Sequence, residues 1–402
     1  MDKHISGNPH RDTILATLWR FSYVCRRHSS RSSPNGSRLN LTGHNSLYPL
    51  WHALWLRCLL NFIMNLRLDP WAAEYNTAYY AEVANREDDQ VSLDTALEHA
   101  ADDWQPVRVA PPETAWTDLF FLDGSRRVEA RVLLEQDRRQ LAFGAMGTYA
   151  VGAVSCCSHF SRPAIFIEDM RVKRICALSS GYDRVNEPTP LEVTALAPFQ
   201  LGHLRYDIIP TEETDADAVV RKLQQEMLET EKVLAGNLAD THNNALIVVD
   251  GRRSLLSRER NLVGYVKTIH DIKINRAQLD VVQKLEQGER SPIYLVNPGR
   301  SEQQYFEWFL RLRDPRPWLY SLAGMVRLQA YAGSEAQMYL EDTVTLANWL
   351  SATLPKLASR QHQDPRAPQQ LLPVRALETE LRRRMGHPAI LRRRITRFLS
   401  QD

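Results

Sequence analysis

The sequence of 402 residues contains few cysteines and almost no net charge. Its five cysteines (Cys25, Cys58, Cys156, Cys157 and Cys176) form no CxxC pair and no Cys/His spacing of the kind that holds zinc. An odd count in a chain of this length is typical of reduced thiols, so a cytoplasmic location is expected. Because 50 basic residues nearly balance 48 acidic ones, any site for nucleic acid must be a local patch.

A membrane span is not expected either. The apolar stretch 47–66 has the length of a span, but it contains His52, Arg57 and Asn61, which are costly at mid-bilayer. It also lacks the cleavage site of a signal peptide. The stretch 25–40 is basic, Ser-rich and nearly free of acid, which leaves an organellar transit peptide open. We expect residues 1–63 to be a disordered extension or a misassigned start, and residues 64–402 to form the folded domain.

Hydrophobic patterning indicates an α/β fold, with a mixed sheet flanked by helices and a helical C-terminal part. Strands are expected at 118–124, 126–137, 141–157, 164–178 and 245–250. The first two of these would form a hairpin through a tight turn at Gly124–Ser125. Helices are expected at 71–103, 215–239, 276–287, 335–357, 373–386 and 388–399.

Two stretches of the chain share one motif, an apolar run that ends in Asp-Gly. They are "DLFFLDG", which ends in Asp123 and Gly124, and "ALIVVDG", which ends in Asp250 and Gly251. A strand that ends in aspartate places a carboxylate at the rim of a sheet, where open α/β sheets bind ligands. Two such strands side by side would bring two carboxylates together, and a divalent cation between them would relieve their repulsion. We therefore predict a metal site that includes Asp123 and Asp250.

The helix expected between these strands offers a third acid. Its apolar stripe runs through Val220, Leu223, Met227, Leu234 and Leu238, and Glu231 falls in the gap of seven between Met227 and Leu234. A carboxylate on a buried helix face is costly unless it is paired or bound to metal. Glu231 is therefore the candidate third ligand, although an arginine partner or a place at the wet rim of the helix would also explain it.

Basic residues follow the second Asp-Gly and return near the end of the chain. Arg252, Arg253 and Lys267 lie where cations could meet a phosphate, and all three are candidates for binding nucleic acid. Arg382 and Arg383 belong to the basic run 381–398 and are candidates for the same role. Ordinary surface bases and a solvated helix face are the alternatives.

These motifs together resemble the NurA family of DNA-repair nucleases. The resemblance rests on "FFLDGSRR", on "LIVVDGRRSLL" followed by "LVGYVKT", on 316–329 and on "APQQLLPVRALETELRRRMG" (367–386), and it covers roughly residues 64–400. It implies a ribonuclease H-like fold, a homodimer, a requirement for Mn²⁺ (or Mg²⁺), and a HerA-like hexameric ATPase as partner. It also implies single-strand endonuclease and 5′–3′ exonuclease activity on DNA ends in double-strand break repair.

Under this resemblance Asp123 matches the first aspartate of the family's site and Asp250 the later one. A helical glutamate between them matches the second acid; Glu231 is the choice and Glu229 the alternate. Asp123, Glu231 and Asp250 would then hold the metal, and Lys267 would neutralise charge on the phosphate during catalysis.

The chain departs from the family near its C-terminus. Members often carry an aromatic residue and a histidine or acid there, whereas in this chain Arg375 and Glu378 fall nearby without being a clear counterpart. Two other functions therefore remain open. One is a catalytically inactive NurA-like subunit that binds DNA or docks on the ATPase, and the other is a phosphoesterase that acts on small molecules.

Overall fold

A computed structural model of the protein describes the residues that form the sheet and its helices. These are 65–68, 91–108, 110, 116–136, 140–157, 162–182, 188–189, 198–242, 244–251, 261–267, 269, 272–297, 304–314, 321–333, 335–360, 362–364 and 366–400. The predicted extension 1–63 and the predicted nucleic-acid-binding residues Arg252 and Arg253 lie outside them.

The strands of the described part are numbered in chain order. They are β1 (Asn65–Leu68), β2 (Ser92–Asp94), β3 (Asp118–Gln136), β4 (Gln140–Cys157), β5 (Ile165–Phe166), β6 (Arg171–Leu178), β7 (Gly181–Tyr182), β8 (Pro188–Thr189), β9 (Phe199–Leu201), β10 (Leu204–Pro210), β11 (Ala245–Asp250), β12 (Leu262–Val266), β13 (Tyr294–Asn297), β14 (Tyr305–Arg311) and β15 (Met325–Tyr331). The helices are α1 (Ala218–Thr241), α2 (Arg276–Lys284), α3 (Ala336–Leu357), α4 (Leu372–Met385) and α5 (Pro388–Leu399).

The strands form one mixed sheet, which confirms the predicted α/β class. Its main path runs β2-β13-β14-β15-β12-β11-β3-β4-β6-β10-β9. At its centre β11 is parallel to both β3 and β12, whereas β3 and β4 are antiparallel. The helix α1 connects β10 to β11, as expected for a crossover between strands that are not joined by a hairpin.

Helices cover both faces of this sheet. On one face α1 packs through Leu223, Leu234 and similar residues against the strands at the centre of the sheet. On the other face α3 and α4 pack against the alternate residues of the same strands, among them Phe121 and Val248. Because successive side chains of a strand point to opposite faces, the two faces can hold different chemistry at the same sheet edge.

The predicted hairpin at Gly124–Ser125 is wrong. The strand β3 runs without a break from Asp118 to Gln136 and pairs with β4 along its whole length, with Gly124 opposite Val151 and Ser125 opposite Ala150. Gly-Ser is a local turn signal, but continuous pairing to a long neighbouring strand outweighs it. The only register shift in this described pair falls between Val128 and Ala130, where Glu129 is the extra residue of a β-bulge.

The predicted helix at 71–103 is wrong for the residues that can be compared. Its first part, 71–90, lies outside the described residues, and 91–103 contains the strand β2 and turns. β2 pairs antiparallel with β13, and Val91 and Leu93 pack into a small core around Trp104 and Tyr294. The other predicted helices are confirmed, with ends that shift by a few residues. Among the described residues, none of the helices is long and apolar enough to span a membrane.

Candidate metal centre

The two Asp-Gly segments lie side by side. β11 and β3 are parallel neighbours, and Val249 is opposite Leu122, so Asp250 and Asp123 are adjacent across the two strands. β11 ends at Asp250, whereas β3 continues past Asp123. Both carboxylates project from the face of the sheet that α3 and α4 cover. The sequence-based expectation that the two aspartates meet therefore agrees with the geometry.

A third carboxylate comes from α4. One oxygen of Glu378 lies with one oxygen each of Asp123 and Asp250 in a group whose members are all within 4.8 Å of one another. Sequence reasoning placed Glu378 near this region but did not assign it. A usable signal existed, because Glu378 falls within the buried stripe of α4 formed by Val374, Leu377 and Leu381.

Burial makes this group of acids electrostatically strained. Burial raises the pKa of Asp123 well above its usual range, and the charge of Asp250 raises it further. Burial also raises the pKa of Asp250, although the charge and hydrogen bond of Lys267 oppose this. Oδ1 of Asp123 accepts a hydrogen bond of 2.8 Å from the backbone N–H of Gly124, but Oδ2 is buried with no hydrogen-bond partner among the described residues. A lone-pair acceptor without a donor suits a cation.

Lys267 joins the acids to a second network. Its ammonium donates to Oδ2 of Asp250 and to the side-chain oxygen of Gln370. Gln370 in turn donates a hydrogen bond of 3.1 Å to Oε1 of Glu378. The neighbouring residue Gln369 is also held in place, because its carbonyl accepts a hydrogen bond of 2.7 Å from the hydroxyl of Tyr265. Lys267 was predicted to face a phosphate, and it lies directly on the candidate centre.

Arg366 holds Glu378 from its other side. The guanidinium makes a two-pronged contact, with Nη1 2.9 Å from Oε1 and Nη2 2.8 Å from Oε2 of Glu378. Burial acts to raise the pKa of Glu378, but the hydrogen bonds and charge of Arg366 outweigh it and leave the pKa below its usual value. Glu378 is therefore the acid of the group that stays ionised most readily.

Glu231 reaches β3 next to Asp123, at Gly124, from the opposite face of the sheet. It is buried on α1, as its place in the apolar stripe predicted, whereas the alternate Glu229 is exposed beside Lys232. A Cβ placed on Gly124 would lie 2.1 Å from Oε1 of Glu231, so the glutamate reaches the rim across a position that only glycine leaves open.

Glu231 is not one of the three acids that converge within 4.8 Å, but the charge of Asp250 acts on it. Burial, helped by the charge of Asp250, raises its pKa to about 8. Its carboxylate has no hydrogen-bond or ion-pair partner among the residues that the structure describes, which argues against the arginine partner that the sequence left open. An unpaired buried carboxylate at the edge of this cluster fits a further metal ligand.

The two glycines of the repeated motif serve different ends. Gly124 is part of a regular strand, and its lack of a side chain makes room for Glu231. Gly251 directly follows β11 and has a φ of 122°, a conformation that residues with a side chain rarely adopt. The shared sequence thus reflects two separate physical constraints beside one pair of aspartates.

The predicted DNA-binding arginines of α4 are engaged within their own helix. Arg382 lies 3.4 Å from Glu378, and Arg383 lies 2.7 Å from Glu380. Arg384 also pairs with Glu380, over 2.8 Å. These contacts leave less positive charge on α4 than its sequence suggests.

The described site is thus a group of carboxylates beside the end of β11 and the middle of β3, which defines the protein as an α/β protein with a candidate metal centre. The donor set fits a hard divalent cation, because every donor is a carboxylate oxygen and one of these atoms has no other partner. The chain matches no protein-family model and no curated protein.

Proposed function

We propose that the protein is a metal-dependent deoxyribonuclease of the NurA type that processes DNA ends in double-strand break repair. The observation that carries the proposal is the convergence of Asp123, Asp250 and Glu378 within 4.8 Å, with Oδ2 of Asp123 buried and unpartnered. Carboxylate oxygens that converge in this way are the ligands that a divalent cation prefers, and such centres are typical of phosphodiester hydrolysis.

Each residue has a role that follows from its position. Asp123, Asp250 and Glu378 would hold the metal, and Glu231 would complete the set from the α1 side. A bound Mn²⁺ or Mg²⁺ would polarise the scissile phosphate and lower the pKa of an attacking water. Lys267, already beside Asp250, is placed to offer its positive charge to a phosphate oxygen once DNA enters. Gln370 and Arg366 orient Lys267 and Glu378.

The proposal extends to the fold, the oligomeric state, the partner and the metal. The central parallel strands with an antiparallel neighbour, and the acids at the end of β11 and on β3, are compatible with a ribonuclease H-like arrangement. With the NurA resemblance come a homodimer, a HerA-like hexameric ATPase as partner and a preference for Mn²⁺. The odd cysteine count adds a cytoplasmic location. The sequence had no clear counterpart to the histidine or acid that the family often carries near its C-terminus. Glu378 is our proposal for that acid.

End-labelled single-stranded DNA and Mn²⁺ test the proposal directly. The parent protein should degrade the DNA, and Asp250→Asn should not, because the substitution removes a ligand charge while keeping the side-chain shape. Glu380→Gln is the matched control, since Glu380 is a paired carboxylate on the same helix as Glu378 and lies outside the centre. Equal rates for Asp250→Asn and the parent would contradict the proposal.

One observation favours the inactive subunit as a second candidate. Basic groups already engage two of the acids: Lys267 binds Asp250, and Arg366 occupies both oxygens of Glu378. Internal cations can thus take over part of the neutralisation that a metal provides in an active centre. In this case the protein would keep DNA binding but lose cleavage.

Metal binding separates the two candidates. The electron paramagnetic resonance signal of free Mn²⁺ should fall when parent protein is added, and should fall much less with Asp123→Asn. Loss of signal together with DNA cleavage supports the nuclease. DNA binding without either effect supports the inactive subunit.

A further inference from the structure

The last helix, α5, carries a concentration of positive charge that differs from that of α4. Its sequence, "PAILRRRITRFL", has four arginines and no acid. Arg393, Arg394 and Arg397 are exposed and form no ion pair with any residue that the structure describes. On α4, by contrast, Arg382, Arg383 and Arg384 are each paired with a glutamate. Unpaired arginines are free to bind an outside anion.

The geometry of α5 places these arginines on one outward stripe. Leu391 and Ile395 are its buried residues, and they anchor the helix. At 100° per residue, Arg393 and Arg397 lie on the side opposite to those two, with Arg394 next to them. Three like charges this close repel one another, and only Arg397, in the last turn, gains from the helix dipole. A polyanion would relieve the repulsion of all three.

The position of α5 relates this stripe to the metal centre. Ile395 packs with Ala130, Val132 and Leu134 of β3, on the face of the sheet that also carries Asp123. From position 123 to position 132 of one strand is roughly 30 Å, at about 3.3 Å a residue. That span corresponds to about nine nucleotides at the 3.4 Å axial rise of a B-form strand, and to fewer in an extended single strand. A strand held at the centre could therefore reach α5.

We propose that Arg393, Arg394 and Arg397 form a second, distal contact for the phosphate backbone of a DNA strand whose reacting phosphate lies at the metal centre. The contact rests on the proposed nuclease function for its biological sense, but DNA binding by α5 can be tested without cleavage. It is a backbone contact and reads no sequence, because an arginine stripe on an exposed helix meets phosphates rather than base edges. The contact makes strands that extend well past the site the preferred substrates.

The test compares two pairs of substitutions that remove the same charge. Arg393→Gln with Arg397→Gln alters the α5 stripe, and Arg383→Gln with Arg384→Gln alters the paired arginines of α4. Binding of a fluorescein-labelled 30-nucleotide oligothymidylate is followed by anisotropy in EDTA, with full-length protein, between about 0.05 and 0.3 M NaCl. Circular dichroism melts establish that each variant is folded.

The α5 pair should weaken binding at least tenfold at 0.1 M salt and lower the slope of log Kd against log salt by about 1.4, which is two contacts at about 0.7 each. The α4 pair should change Kd less than twofold. Equal losses for both pairs would mean that overall charge alone matters, and would overturn the proposal. So would unchanged binding in the α5 pair, or a parent protein that does not bind the DNA, since the stripe would then suit another anion.

Cleavage in Mn²⁺ is measured separately. If the parent cleaves, the α5 pair should raise KM for the 30-nucleotide strand and keep kcat within twofold, because α5 does not touch the reacting atoms. If nothing cleaves while DNA binding still depends on α5, the nuclease proposal fails and the α5 contact stands.

Discussion

Asp123 and Glu129 are two buried carboxylates on the same strand, and they lie in opposite electrostatic surroundings. Asp123 meets two further acids, Asp250 and Glu378. Each of the two residues has one buried oxygen without a hydrogen-bond partner among the described residues, Oδ2 of Asp123 and Oε2 of Glu129. Glu129, at the bulge of β3, is accompanied instead by Arg127, whose Nη2 lies 3.2 Å from Oε1. Burial raises the pKa of both, to about 7 for Glu129.

Helix α4 connects the two sites. Glu378 in its middle reaches Asp123, while the carbonyls of Met385 and Gly386 at its end accept hydrogen bonds from Arg174 and Arg127 over 3.3 and 3.0 Å. These arginines satisfy the open carbonyls of the helix end. The difference teaches that burial and a raised pKa alone do not mark a metal site. Several oxygens must converge without enough positive groups to neutralise them.

The largest effect is expected from a substitution of Asp123. Asp123→Asn should lower the rate of DNA cleavage by at least about 10³-fold and abolish the response of stability to metal. In the parent, Mn²⁺ at 100 times its Kd should raise the free energy of unfolding by about 3 kcal/mol, because only the folded protein binds it. Without metal the variant should be the more stable of the two, since it no longer buries a repelled carboxylate.

Urea unfolding with Mn²⁺ and with EDTA measures both effects. Glu129→Gln is the control, because it removes a buried carboxylate from the same strand and should leave the Mn²⁺ response intact. A Mn²⁺ response that survives in Asp123→Asn, or is lost in Glu129→Gln, would reverse the roles assigned to the two sites.

The next effect is the pH dependence of stability that Glu129 causes. Its pKa in the folded protein is about 7, above the ordinary value of 4.5, so the folded state binds the proton more tightly. The contribution of this group to stability is then fully present below about pH 4.5 and is lost as pH rises through 7. The loss is on the order of 3 kcal/mol. Glu129→Gln should remove it, and should thus gain stability relative to the parent between pH 5 and pH 8.

Urea unfolding in EDTA at those two pH values checks the sign. The use of EDTA keeps metal binding at the other site out of the measurement. A difference between variant and parent that stays constant with pH would show that Glu129 ionises as it does in the unfolded chain.

A smaller effect tests how Glu231 reaches the centre. Gly124→Ala would place a Cβ 2.1 Å from Oε1 of Glu231 and 2.9 Å from the sulfur of Met227, so the helix or the glutamate must move. We expect a loss of about 1–3 kcal/mol in the free energy of unfolding and a weaker Mn²⁺ response. Gly236→Ala, on α1 with open space around its Cβ, is the control and should not destabilise the protein.

Much of the centre could be predicted because its signals are local. An apolar run that ends in Asp-Gly is visible in one window, and the structure brings Asp123 and Asp250 together across β3 and β11. A glutamate within the apolar stripe of a helix is equally visible, and Glu231 is buried on α1, but the acid that converges with the two aspartates is Glu378. The same reasoning applied to α4 would have selected Glu378. Most helix positions followed from periodicity for the same reason.

The remainder depends on pairing across long stretches of chain. Nothing near Gly124 indicates that β3 continues, because its partner positions lie in β4. The hydrogen bond from Lys267 to Gln370 joins residues 103 positions apart, and only the folded sheet brings them together. The pairing of Arg382 with Glu378 and of Arg383 with Glu380, by contrast, was visible in the helical spacing.

The smallest effect is expected from a substitution that loosens α1, the helix that carries Glu231 to the strand of Asp123. Tyr149 of β4 tethers α1 next to Glu231, with its hydroxyl 3.1 Å from that of Thr230 in a buried contact. Thr230 keeps a hydrogen bond of 2.9 Å to the carbonyl of Glu226, so Tyr149→Phe leaves no strong donor unsatisfied. The variant should lose only about 0.5–1.5 kcal/mol in urea unfolding and keep cleavage and the Mn²⁺ response within twofold. A large loss of activity with little loss of stability would instead mean that the position of α1, and not merely its presence, sets the geometry of Glu231.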